Sequence, residues 1–148
     1  ALFDLASKRW IERFVAALAS QRLPLYAVLT HDGRETWLPE HPADAGVHAA
    51  FTDHQHRDKG FGPAAGPDAC EIMAEAFRKS GFAISSGDSD WLLDAQRRPL
   101  QEALAEGIAA AVGETGRLDP KAIADWLAAR REAESALIGH QDLWARPI

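Results

Sequence analysis

The spacing of apolar residues along the chain predicts helices that alternate with strands. Between residues 6 and 21, large apolar residues recur at helical spacing, with charged residues on the opposite side. Residues 23–30 form a nearly continuous apolar run, which is typical of a strand covered on both faces. The Asp-Gly pair at positions 32 and 33 then predicts a tight turn into a short second strand at residues 35–38.

The rest of the chain repeats this alternation, and a helix between successive strands is typical of an α/β domain. The N-terminal run ALFDL predicts the end of a further strand. Because only three long strands can be counted, the sheet would leave an edge exposed, so we expect either self-association or further strands upstream. The remaining predicted helices are residues 43–59, 68–80, 97–115 and 119–134, and the remaining strands are residues 82–85, 91–93 and 136–144.

One stretch, residues 54–67 (HQHRDKGFGPAAGP), breaks the apolar pattern. The face of the predicted helix 43–59 that carries apolar residues continues, by three- and four-residue steps, with His54 and Asp58. A glycine-rich loop containing Phe61 follows. This change from apolar to polar suits the wall of a pocket. The alternative is a solvated His–Asp contact, which would stabilise the helix by only about 0.2–0.5 kcal/mol.

Composition indicates a globular domain without nucleic-acid or membrane partners. The 148 residues are 47% hydrophobic and 26% charged, a balance that suits one domain spanning residues 1–148. The net charge of -6, with scattered basic residues, argues against phosphate binding. The only cysteine, Cys70, cannot form an internal disulfide, and no apolar run is long enough to span a bilayer. We therefore expect a cytoplasmic location.

Common catalytic motifs do not match the sequence. The six histidines lack the spacing of metal ligands, so no metal site is predicted. There is no G-x-S-x-G turn, and the run GFGPAAGPD lacks the G-K-[ST] ending of a phosphate-binding loop. His140 and Asp142 are two residues apart and so share a face of the last predicted strand. This pair indicates either a polar spot on the sheet or an exposed edge. Trp37 and Trp91, next to loops, are expected near a pocket.

Five segments together resemble the C-terminal half of a bacterial class I S-adenosylmethionine-dependent methyltransferase that acts on a small molecule. The runs HQHRDKGFG and GHQDL carry most of this resemblance, beside ALFDLAS, LPLYAVLTHDG and DSDWLL. It implies a Rossmann-like fold with a mixed sheet and flanking helices. ALFDL would end the fourth strand, and residues 23–30 would form the fifth, 82–93 the sixth, and 136–144 an antiparallel seventh between them. Residues 97–134 would be a helical insertion before this last strand.

The resemblance also implies S-adenosylmethionine as the cofactor. By analogy, Leu2, Phe3 and Asp4 at the end of the fourth strand would lie next to it. The glycine-rich cofactor loop and the acidic residue of the family's first two strands do not occur in these 148 residues. We therefore expect this chain to be inactive alone, and to depend on a missing N-terminal half.

The substrate side would be built from the helix and loop around residues 54–61. Methyl transfer requires mainly that nucleophile and methyl group be held in line, with a base only if the nucleophile must lose a proton. The candidate base is His54, oriented by Asp58. The candidate substrate-binding residues are Arg57, Lys59, Phe61, Trp37 and Trp91.

A second hypothesis requires no chemistry. The chain could be a non-catalytic α/β module whose exposed sheet pairs with another copy of itself. Both hypotheses predict an uncovered sheet edge, and we expect a homo-oligomer.

Overall fold

The computed structural model describes residues 2–148 as an α/β chain. It contains one sheet and flanking helices, as predicted. No helix among these residues combines the length and the apolar character needed to cross a membrane. The strands are β1 (Leu25–Leu38), β2 (Phe82–Asp88), β3 (Trp91–Leu93) and β4 (Ser135–Pro147), and the helices are α1 (Lys8–Ser20), α2 (Asp44–Gln55), α3 (Ala69–Lys79), α4 (Arg98–Thr115) and α5 (Pro120–Arg131).

The last strand of the chain lies in the middle of the sheet. The strand order is β1–β4–β2, and β3 also pairs with β4. β2 and β3 both run antiparallel to β4, with Phe82 opposite Pro147 and Trp91 opposite Ile138. The expected position of the last strand, between the two earlier ones, is confirmed. The expectation of a mixed sheet is wrong for the described residues, because this four-stranded sheet is antiparallel.

The predicted hairpin at positions 32 and 33 is also wrong. β1 runs without a turn from Leu25 to Leu38. A two-residue turn of the predicted type needs positive φ at both residues, but only Gly33 has it, at 85°. The side chain of Asp32 instead accepts a hydrogen bond from the backbone N–H of Arg34 at 2.9 Å. This contact satisfies the turn-forming side chain while the strand continues.

Two further element predictions need correction. The N-terminal run ALFDL is not the end of a strand, because Phe3–Leu5 forms a short 3-10 helix. The helix predicted at residues 43–59 ends at Gln55, so Asp58 lies beyond it. The later helices agree closely with prediction. Asp119 caps α5 through the backbone N–H of Lys121, and a left-handed Gly116 ends α4.

Contacts divide the chain into two compact units, and both β1 and β4 contribute residues to each. The first unit comprises residues 2–34, 55–90 and 139–148. Its core joins α1 and α3 to the sheet, and the Trp10 and Phe14 rings stack with centroids 5.2 Å apart. Fully burying one large aliphatic or aromatic side chain contributes about 1.5–3 kcal/mol. The largest fully buried apolar side chains of this unit are Ile11, Val15, Met73, Phe77 and Leu143.

The second unit comprises Glu35–His54 and Trp91–Ile138. Its core lies between α2, α4, α5 and the paired strands β3 and β4. The indoles of Trp37 and Trp126 meet edge to face, with ring centroids 6.1 Å apart. The helices α4 and α5, predicted as an insertion before the last strand, thus supply much of the apolar packing of this unit.

Candidate functional site

The predicted base, His54, lies near the end of α2 in the second unit. Its Nε2 atom is 2.9 Å from a carboxylate oxygen of Glu114 on α4. The side chain of His54 is 16% exposed and that of Glu114 is 66% exposed. Asp53, the preceding residue, forms an ion pair with Arg117. The first contact joins the end of α2 to the C-terminal end of α4, and the second joins it to Arg117, two residues beyond α4.

Asp58, the predicted partner of His54, shapes the glycine-rich loop of the first unit. One of its carboxylate oxygens accepts hydrogen bonds from the backbone N–H groups of Gly60 at 2.7 Å and Gly62 at 3.0 Å. Such side-chain contacts are common in turns. Because α2 ends at Gln55, the shared helix face on which the His54–Asp58 pair was predicted does not exist.

The predicted substrate-binding residues do not lie in one unit. In the first unit, Phe61 packs edge-on against Trp10 with centroids 5.7 Å apart and stays 42% exposed. Arg57 is exposed and Lys59 is half-buried in the same loop.

The two predicted tryptophans belong to the second unit. Trp37 is buried, donates a 2.6 Å hydrogen bond from Nε1 to Glu35, and lines a cavity. Trp91 is half-buried on β3, opposite Ile138.

The three predicted cofactor residues differ in their surroundings. Leu2 is 49% exposed, whereas Phe3 is buried in the core of the first unit. Asp4 has a buried carboxylate oxygen, Oδ1, without a hydrogen-bond partner. Burying an acceptor without a partner costs about 1–3 kcal/mol, and a bound group that donates a hydrogen bond would recover it. Asp4 is therefore the strongest of the three candidates for a ligand contact.

A second group of polar residues in the first unit was not predicted as a site. We call His31, Gln55 and His140 the histidine cluster. His31 Nδ1 lies 3.0 Å from the side-chain amide nitrogen of Gln55. The rings of His31 and His140 pack edge-on with centroids 5.8 Å apart, and each residue is only 8% exposed. Histidine is intermediate between apolar and charged residues in how often it is buried, so two adjacent buried imidazoles form a candidate site.

Charged residues fix the strands on either side of this cluster. Arg34 binds Asp32 at 2.6 Å and Asp90 at 2.8 Å. Asp90 also accepts a 3.2 Å hydrogen bond from the backbone N–H of His140. Burial alone would raise the pKa of Asp32, but hydrogen bonds from the side chain and backbone of Arg34 lower it on balance. The guanidinium of Arg34 also lies 3.5 Å from the carboxylate of Asp88 at the end of β2. This ion-paired group therefore links β1, β4 and the end of β2 beside the two imidazoles.

Unsatisfied polar atoms occur in the same unit. The Oε1 atom of Gln55 is buried and has no hydrogen-bond partner. Thr30, which precedes His31 on β1, is fully buried, and its hydroxyl also has no hydrogen-bond partner. Such atoms are rare in folded proteins and are often found at sites of function. Two polar atoms beside the imidazoles, Gln55 Oε1 and the Thr30 hydroxyl, could therefore bond to a ligand.

The sequence offered a weak signal for this cluster. His140 was noted with Asp142 as a polar spot on the last strand. Asp142 has a structural role, because its carboxylate accepts hydrogen bonds from the hydroxyls of Ser89 and Tyr26 and the backbone N–H of Leu29. His31 follows the apolar run 23–30 that indicated only a strand, so nothing in the sequence paired it with His140.

Metal ligation and similarity to other proteins give no further assignment. Across residues 2–148, no three or more His, Cys, Asp or Glu side chains are grouped so that they could hold a metal ion. No protein-family model matches the chain, and no curated protein has a sequence that matches it. A function must therefore be argued from the fold and the side chains.

Proposed function

We propose that this chain is the C-terminal, substrate-side part of a cytoplasmic class I S-adenosylmethionine-dependent methyltransferase acting on a small molecule. The strand order carries this proposal. The last strand, β4, lies between β1 and β2 and follows the helical pair α4–α5. The resemblance of the sequence implies this order for the fifth, seventh and sixth strands and this position for an insertion. A fold alone does not determine chemistry, so the reaction is argued from side chains.

His31 is the base that this geometry favours when the methyl acceptor must lose a proton. As oriented, the Gln55 amide donates to Nδ1, which leaves its own Oε1 without a partner. Rotating the amide by half a turn would let Oε1 accept a hydrogen bond from an Nδ1–H group. Nε2 would then carry the lone pair that accepts the substrate proton. Gln55 would orient the ring and select its tautomer without adding charge.

His54 remains the alternative base. One of its partners is the carboxylate of Glu114, which could orient an imidazole as well. The two candidates differ in burial and in partner. His31 is enclosed beside a second imidazole, whereas His54 contacts an exposed carboxylate. The enclosed position suits a proton acceptor that must be shielded from water.

The residues present fit the proposed cofactor in one respect. The unpartnered oxygen of Asp4 could accept a hydrogen bond from a hydroxyl or amino group. When bound, S-adenosylmethionine supplies an electrophilic methyl group on sulfur. The remaining cofactor contacts would come from the glycine-rich loop of an N-terminal half. We therefore propose that this chain alone does not catalyse transfer.

A labelled methyl donor tests the proposal. The full-length protein is incubated with S-adenosylmethionine bearing a trideuterated methyl group and a metabolite extract of its own cells. Mass spectrometry should find an enzyme-dependent product carrying that group, and calorimetry should detect S-adenosylhomocysteine binding. Absence of both would overturn the proposal. Binding by the 148-residue chain as tight as by the full-length protein would contradict the division of roles.

One observation favours the second candidate, a non-catalytic module that pairs with another copy of itself. β1 is an edge strand of the described sheet, and apolar side chains in and just before it are exposed: Leu23 by 48% and Tyr26 by 60%. A second copy could pair with this edge. Sedimentation of the 148-residue chain should then show a dimer, and a monomer at high concentration would exclude it.

A further inference from the structure

The second unit contains a cavity that the proposed chemistry does not use. Its volume is about 400 Å³, within the range of small-ligand sites. Part of its wall is the C-terminal segment of β1, and the rest comes from α2, from α5 and from the segment between β1 and α2. The side chains that matter below are Glu35, Trp37, Asp44, His48 and Trp126.

One carboxylate at this cavity is already neutralised. Asp44 accepts hydrogen bonds at 2.8 and 3.0 Å from one guanidinium nitrogen of Arg130, Nη2. The other nitrogen, Nη1, donates to the carbonyl of Pro39 at 2.7 Å. Arg130 is 1% exposed, and its guanidinium carbon lies 5.9 Å from the ring centroid of Trp37 and 5.8 Å from that of Trp126. These contacts fix both indoles as rigid walls.

The other carboxylate, Glu35, has no such partner. One of its oxygens accepts a 2.6 Å hydrogen bond from the indole N–H of Trp37. None of the ion pairs among residues 2–148 includes Glu35. Burial raises the pKa of Glu35, because the indole N–H offsets only part of the cost of removing the charge from water. Arg130 and His48 also attract this carboxylate, but neither forms an ion pair with it, so a bound cation could still pair with Glu35.

A second polar group at the cavity also lacks a partner. His48 on α2 lines the cavity, and its Nδ1 atom is buried without a hydrogen bond. His41 differs, because its Nδ1 accepts a 3.2 Å hydrogen bond from the backbone N–H of Ala43. The cavity thus offers an unneutralised carboxylate, an unused imidazole nitrogen and two indole walls.

We infer that this cavity binds a small organic cation with N–H donors, such as a protonated amine on an apolar body. Glu35 supplies the opposite charge, His48 accepts or donates one hydrogen bond, and the indoles contact the apolar part. The lining carboxylates of Glu35, Glu40 and Asp44 face only one described cation, Arg130, so an anionic ligand is disfavoured. This inference does not depend on methyl transfer.

Three probes of similar shape test the charge preference on the unmodified chain. Benzylammonium, benzyl alcohol and benzoate are titrated separately at millimolar concentrations. The chemical shift of the Trp37 indole N–H, which donates to Glu35, reports binding by NMR. We expect benzylammonium to bind at least about tenfold more tightly than benzyl alcohol, as a charge-assisted hydrogen bond would require, and benzoate not to bind. Equal binding of the three, or none, would overturn the inference.

Matched variants then locate the charge. Glu35→Gln keeps an oxygen that can accept from Trp37 and removes only the charge, so it should bind benzylammonium at least about tenfold more weakly. Glu134→Gln, at an exposed residue that does not line the cavity, should leave binding nearly unchanged. Circular dichroism checks that each variant is folded. Unchanged benzylammonium binding in Glu35→Gln would contradict the assignment of the charge to Glu35. If that variant does not fold, the comparison of the three probes on the unmodified chain still tests the inference.

Discussion

The imidazole of His31 packs edge-on against that of His140, with ring centroids 5.8 Å apart and ring planes inclined by 77°. His31 lies on β1 and His140 on β4, which is the next strand in the sheet although it is the last in the chain. Strand order therefore brings together two buried polar residues that the sequence keeps far apart. The contact of His31 with Gln55 makes this histidine cluster the place to test for proton transfer.

The first prediction separates the two candidate bases. On the proposed function, His31→Gln in the full-length protein should reduce the rate of methyl transfer by about 10²-fold or more, because glutamine cannot accept the substrate proton. Binding of S-adenosylhomocysteine should stay nearly unchanged. His54→Gln is the matched control and should have the smaller effect on turnover. The rate is followed with the labelled methyl donor, and a larger loss in His54→Gln would assign the base to His54 instead.

The second prediction concerns a glycine next to the cluster. A Cβ atom added at Gly139 would lie 2.6 Å from the Cβ of Arg34 and would also meet the side chain of Asp32. Gly139→Ala should lower the free energy of unfolding by about 2 kcal/mol, the usual cost of overpacking. Gly87→Ala on β2 is the control, because nothing lies within 4 Å of its added Cβ. Urea denaturation measures both, and equal stabilities would contradict the crowding.

Helices and isolated strands could be predicted because their signals are local. Asp119 before Pro120 indicated the start of α5, and the apolar repeat of α4 indicated its length. The predictions that were wrong concern features that depend on contacts with residues distant in the sequence. The Asp-Gly pair at position 32 would favour a turn in isolation, yet pairing of β1 with β4 and the contact from Asp32 to the Arg34 backbone keep the strand continuous.

The candidate site shows the same limit. The apolar pattern of α2 ends near His54, close to the end of the helix at Gln55. The predicted pairing of His54 with Asp58 required the helix to continue to residue 59. Glycine-rich sequence after Gln55 instead lets Asp58 bond to loop backbone. The histidine cluster needs long-range strand pairing to exist, so a single sequence without the sheet order could not have joined His31 to His140.

The third prediction uses the only tyrosine of the chain. The hydrogen bond from Tyr26 to Asp142, and the charge of that carboxylate, raise the pKa of Tyr26 above 10.0. Alkaline titration followed by tyrosinate absorbance should therefore have its midpoint above 10.0, and Asp142→Asn should move it down. Because the pKa is raised in the folded state, this contact stabilises the fold below pH 10.0 and is lost as pH rises through the folded value. An unmoved midpoint in Asp142→Asn would contradict the contact.

Two adjacent arginines allow the energetics of the second unit to be tested. Arg130 is 1% exposed and holds Asp44 and the carbonyl of Pro39, whereas Arg131 forms a half-exposed ion pair with Glu106. Arg130→Met should destabilise by about 3 kcal/mol, because it leaves Asp44 without its cation and the carbonyl without its donor. Arg131→Met should cost about 0–1 kcal/mol, since water solvates the half-exposed Glu106 carboxylate that is left behind. Urea unfolding followed by tryptophan fluorescence compares them. Similar losses of unfolding free energy in the two variants would contradict this prediction, because they would mean that water solvates Asp44 as well as the guanidinium does. The side chain of Asp44 is only 32% exposed, so we expect water to replace the guanidinium only in part.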